Sequence, residues 1–134
     1  MTRINTTTPI TLCDQHLLAE IRELPRILNK AKQGKYKSKP IDKFTLNKGH
    51  ELSLVNKLKW LVDRHKLLIL EAKERGFNVM DYSSSYKDLP QHLYNDWKPT
   101  QEAKQLIKNR ITERLSTMKV IRWYGEKVTK EFFN

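Results

Sequence analysis

Cysteine and glycine are scarce in this sequence. A single cysteine, Cys13, excludes an internal disulfide and fits a reducing compartment. The chain has four glycines, none of them in a GxGxxG or GxxxxGKS loop, which argues against the nucleotide-cofactor folds. The histidines, His16, His50, His65 and His92, lack close metal-ligand spacing, so no metal site is expected. No apolar run approaches the roughly 18 residues of a membrane-spanning helix. The opening segment MTRINTTTPI has no long apolar stretch of the secretory kind, and the chain is expected to be cytoplasmic. Strand alternation of convincing length and internal repeats are also absent. Acidic residues are the last deficit. Asp and Glu number 15 against 26 Lys and Arg, a formal charge of +11. A small basic chain of this kind is built to meet a polyanion.

The length, 134 residues, allows one domain, 1–134, around one modest core. Residues 1–66 carry 14 basic and 6 acidic side chains, and the remainder 12 and 9. The densest stretch is Lys30 to Lys43, where Gly34, Ser38 and Pro40 mark a loop. It reads either as a solvated loop or as an arm that tracks phosphates, with Tyr36 among the lysines.

Three helices are expected. The first runs from about Asp14 to Ala31. The second runs from about Glu51 to Arg75, with Leu54, Leu58, Leu61, Val62, His65, Leu68, Ile69 and Ala72 repeating at three and four, and stops at Gly76. The third follows Thr100, a candidate N-cap, and runs to about Lys119 with Ala103, Leu106, Ile107, Ile111, Leu115 and Met118 on one stripe. The fold class is all-α: three main helices with long connecting loops, and such connections often carry function.

On the first helix, Leu17, Ile21, Leu24 and Leu28 form a narrow core stripe. Gln15, His16, Arg22, Glu23 and Arg26 gather on the opposite arc, around the small Ala19. Arg22 and Arg26, one turn apart, suit phosphate clamping, because guanidinium forks pair bidentately with phosphate. The alternative is an ordinary solvated face. Pro25 cannot donate to residue 21, so the helix either kinks there or ends early.

The N-terminus is the second unusual element. Met1 precedes the small Thr2 and should be removable, exposing the α-amine of Thr2. A terminal amine has a reference pKa of about 7.7–8.0. Arg3 and the nearby arginines would lower it further, because like charge disfavours the ammonium. A neutral amine is a competent nucleophile.

Met-Thr-Arg-Ile-Asn at 1–5, Asp14-Gln15-His16-Leu17, Ala19-Glu20 and Arg22-Glu23-Leu24-Pro25-Arg26 closely resemble the phage endonuclease V family of pyrimidine-dimer DNA glycosylases. Gly49-His50, Lys57-Leu58, Arg75-Gly76-Phe77-Asn78, Asp88-Leu89-Pro90-Gln91 and Tyr124-Gly125 extend the resemblance over nearly the whole chain.

The resemblance implies a glycosylase and abasic-site lyase acting on cyclobutane pyrimidine dimers in duplex DNA. The Thr2 amine would attack C1′ of the damaged nucleotide and form a Schiff base. Glu23 would stabilise the cationic intermediate and assist proton transfer. β-Elimination would then nick the strand. Arg3, Gln15, Arg22 and Arg26 would hold phosphates or sugar, His16 would orient the abasic site, and Trp123 and Tyr124 would belong to the lesion-recognising aromatic segment. Neither metal nor organic cofactor is implied. The partner would be damaged double-stranded DNA, met by a monomer without a membrane or an obligatory protein partner. If phage-encoded, it would act in the host cytoplasm. Val120 and Ile121 stand where the family has aromatics, and the loop after the first helix is short. The same mechanism on another damaged base, or a non-catalytic DNA-bending protein on this scaffold, are the alternatives.

Overall fold

The computed structural model describes residues 2–133. Three helices form the framework: α1 (Asp14–Lys32), α2 (Leu58–Glu74) and α3 (Gln101–Thr117). Two short strands, β1 (Ile121–Trp123) and β2 (Glu126–Val128), pair antiparallel behind them. The fold is mostly α-helical, as expected, with a hairpin that the sequence reading did not include.

The core is built where the sequence placed it. Leu17, Ile21, Leu24 and Leu28 of α1 are buried against Leu58, Leu61, Val62, Leu68 and Ala72 of α2, with Ile4 and Leu54 from flanking segments. Pro25 lies inside α1, and the helix continues past it. Its missing N–H leaves the Ile21 carbonyl without the usual helical donor. His65 of α2 supplies one: its Nε2 donates to Ile21 O at 2.9 Å, and its Nδ1 accepts from the Tyr86 hydroxyl. A histidine on the expected core stripe of α2 thus repairs the proline break in α1.

Helix α2 starts later than the periodicity suggested. Residues 49–56 form consecutive turns, and Leu54 is buried from a turn rather than from the helix. Lys57 has φ −125° and ψ 41°, which interrupts helical geometry, and its Nζ reaches back to Asn56 Oδ1 and the Ser53 carbonyl. The far end agrees with expectation. Gly76 has φ 84°, and Phe77 N–H donates to Ala72 O in the six-to-one bond of a Schellman motif. Helix α3 is capped by Thr100, whose hydroxyl accepts the Ala103 N–H at 3.0 Å.

Strands of three residues are too short to show alternation, which hid the hairpin. Its turn is Tyr124-Gly125, both at positive φ (53° and 79°), as a type I′ connection requires. Tyrosine is an unusual occupant, and Asp14 holds it in place. The Asp14 carboxylate accepts both turn N–H groups, from Tyr124 at 3.0 Å and Gly125 at 2.8 Å, and pairs with Arg75 at 2.9 Å. A satellite cluster of Cys13, Leu115 and Ile121 packs the end of α3 and the hairpin over the start of α1. Among the described residues, no helix is long and apolar enough to cross a membrane.

Candidate active site

Arg3 is the first sign of a site. It is a non-glycine residue at φ 62°, a left-handed conformation that L residues seldom adopt. It follows Thr2, which is buried, and precedes Ile4 and Asn5, both fully buried. Removal of Met1 concerns a residue outside the described ones.

Arg3 lines a polar cavity of about 440 Å³ with Glu23 from α1, Leu46, Asn47 and Lys48 from the connection before α2, and Arg110 and Arg114 from α3. Four cationic side chains therefore surround one carboxylate. A larger hollow of about 620 Å³ lies on α2, but Ile69, Leu70, Val79, Met80 and two tyrosines make it mainly apolar. The polar cavity is where anionic substrate and proton-transfer chemistry can meet.

Two buried polar atoms have no hydrogen-bond partner among the described residues: Nε of Arg114, which lines this cavity, and Nδ1 of His16. Burial, reinforced by positive charge that includes Arg114, pushes His16 down to about 4. The imidazole is therefore neutral at pH 7. A phosphate or sugar oxygen entering the cavity would offer Arg114 the acceptor it lacks.

The expected site residues separate into groups. Arg3 and Glu23 come together in the cavity. His16, expected on an open arc, is 2% exposed. Gln15 holds the hairpin: its Nε2 donates to Val120 O at 2.9 Å and its Oε1 accepts the Arg122 N–H at 3.2 Å. Arg22 and Arg26 are exposed and do not line the cavity. Trp123 donates from Nε1 to Ile10 O, and the Tyr124 hydroxyl donates to Glu71, so both pack around Arg75 rather than beside Glu23.

Arg110 and Arg114 were missed. They sit three and seven residues beyond the buried Ile107, a spacing that puts them on the edge of the core stripe of α3. Arg22 and Arg26 on α1 share this one-turn spacing. Glu20 was missed too. Its carboxylate lies wholly buried between Arg64 (2.8 and 3.1 Å) and the Asn5 amide (2.7 Å). Burial pushes the Glu20 carboxyl up, and the Arg64 guanidinium opposes that.

A family model described as pyrimidine dimer DNA glycosylase matches residues 1–83. The chain belongs to that family. The match spans the N-terminal segment, α1, the connection after it and α2, and includes Arg3, Glu23 and Lys48 of the cavity. Its two α3 arginines come from beyond the matched residues.

The buried histidines of this family member set an acid limit. His16 and His50 are both pushed down to about 4, mainly by burial, and burial lowers His65 as well. Folded, they resist protonation; unfolded, they take up protons near pH 6.5. The unfolded state therefore binds more protons, and stability falls as pH falls from 6.5 towards 4. His16 and His50 should each remove about 3 kcal/mol over that window. Urea denaturation at pH 7 and pH 4.5 reads this, and equal stabilities would contradict neutral buried imidazoles.

Proposed function

We propose that the chain joins dimer excision to strand scission in one active site, through the α-amine of Thr2. The observation that carries this reading is Glu23, one carboxylate facing four cations beside the N-terminal segment. The amine lone pair forms a bond to C1′, and the glycosidic bond breaks with its electrons leaving on the base. One N–H proton is lost, the C1′–O4′ bond breaks with its electrons on O4′, which takes up a proton, and a protonated imine links protein and sugar. A proton is then lost from C2′ and the C3′–O bond breaks, releasing the 3′ strand as its phosphate. Glu23 stabilises the cationic stages and accepts protons.

In this reading Arg3, Lys48, Arg110 and Arg114 hold the phosphates that flank the lesion. His16, neutral and with Nδ1 unpartnered among the described residues, meets the opened sugar. Arg22 and Arg26, exposed on α1, touch phosphates farther along the duplex. Gln15, Trp123 and Tyr124 contribute indirectly, by fixing the hairpin: Gln15 from α1, the two aromatics through Ile10, Glu71 and Arg75. Damaged duplex DNA is the partner throughout.

Borohydride trapping, run in parallel on a dimer-containing duplex and an abasic duplex, tests the mechanism. Peptide mapping should place the reduced adduct on the N-terminal peptide beginning at Thr2. An adduct on a lysine side chain, or base release with no trapped species, would refute the shared amine.

A further inference from the structure

The left-handed Arg3 is held from behind at the two residues that follow it. The Ile4 N–H donates to Nε2 of His50 at 3.2 Å, while Nδ1 of His50 binds the Thr45 carbonyl at 2.8 Å. These bonds fix the tautomer: Nδ1 carries the proton and Nε2 offers its lone pair. Burial keeps the ring neutral, and Phe44 packs on it edge to face at 5.5 Å.

Asn5 is held just as closely. Its Nδ2 donates to Glu20 at 2.7 Å and to the Thr2 hydroxyl at 3.3 Å. Its Oδ1 accepts from Arg64 at 2.8 Å and from Thr7 N–H at 3.1 Å. An unbroken chain of hydrogen bonds thus runs from Arg64 through Glu20 and Asn5 to Thr2. A conformational outlier persists only where its surroundings over-determine it. Here both residues after Arg3 are pinned, and so is the residue before it.

We propose that His50 and Asn5 are positioning residues that seat the N-terminal segment and aim the Thr2 amine into the Glu23 cavity. The inference rests on the Schiff-base reading above. A terminal amine ends a chain that would otherwise be free to swing, and a misplacement of about 1 Å can cost about 10²-fold in rate. Neither residue lines the cavity, so neither needs to touch DNA to matter.

The test compares His50→Phe, His50→Gln and Asn5→Ala with wild type. His50→Phe keeps a ring against Phe44 and removes the acceptor; His50→Gln restores an acceptor oxygen. Single-turnover trapping on a dimer duplex is read beside affinity for a duplex carrying an uncleavable tetrahydrofuran abasic analogue. His50→Phe and Asn5→Ala should slow trapping about 10²-fold while affinity stays within about threefold, and His50→Gln should recover most of the rate. Trapping at the wild-type rate by a folded His50→Phe would overturn the proposal. If that variant does not fold, amide hydrogen exchange on the wild-type protein decides. An Ile4 amide protected about 10³-fold or more supports the seat, and one that exchanges freely overturns it. A wild-type adduct on a lysine would remove the Schiff-base reading and this inference together, and wild type alone reveals that case.

Discussion

Glu23→Gln should bind dimer-containing duplex at least as tightly as wild type and lose about 10²-fold or more in the rate of base release and nicking. The cavity holds Arg3, Lys48, Arg110 and Arg114 around this one carboxylate. Exchanging it for an amide of the same shape removes the one negative charge among four cations, which cannot weaken the attraction to an anionic duplex. The cost falls on chemistry, because an amide neither accepts a proton nor balances a cationic sugar intermediate. Single-turnover nicking and a gel-shift titration on the same variant separate the two effects. A near-native rate would move the catalytic role away from Glu23.

Arg64→Ala should be strongly destabilising, by about 3–5 kcal/mol. Glu20 and Arg64 are both buried and face each other at 2.8 Å, and Arg64 also serves Asn5 and the Thr7 carbonyl. Deleting the guanidinium strands a carboxylate in the core, and the penalty is that group's lost hydration rather than the worth of the pair. Arg26→Ala, on the exposed face of α1, provides the contrast and should change stability by less than about 0.5 kcal/mol. Urea denaturation of both variants tests this. A loss below about 1 kcal/mol for Arg64→Ala would mean that water reaches Glu20.

Where periodicity was strong, the sequence was readable. The α1 stripe, the Thr100 cap and the Gly76 stop each follow from local chemistry, and each stands in the structure as expected. Long-range partnerships were not readable. On the α1 wheel His16 falls with polar residues, because helical spacing alone does not show what the rest of the chain buries. Nothing local marks Glu20, since its partners Asn5 and Arg64 lie 15 and 44 residues away. The hairpin escaped because three-residue strands carry no period and its turn uses tyrosine where asparagine or glycine is usual. Glu23 and Arg3 were found through the family resemblance more than through spacing. Arg110 and Arg114, one turn apart on α3, carry the same local signal as Arg22 and Arg26 on α1.

Pro25 and His65 carry a consequence for how this chain can change over generations. The Ile21 carbonyl needs one donor, which Pro25 cannot give and His65 does. A carbonyl oxygen has two lone pairs, so a change at 25 that restores an N–H leaves His65 tolerable. The reverse order strands the carbonyl inside the core while Pro25 is still present. Replacement of these two residues is therefore a one-way path: the proline can be given up first, and the histidine only afterwards. Lineages that keep a proline at 25 are held to a donor at 65, on a different helix and 40 residues further along the chain.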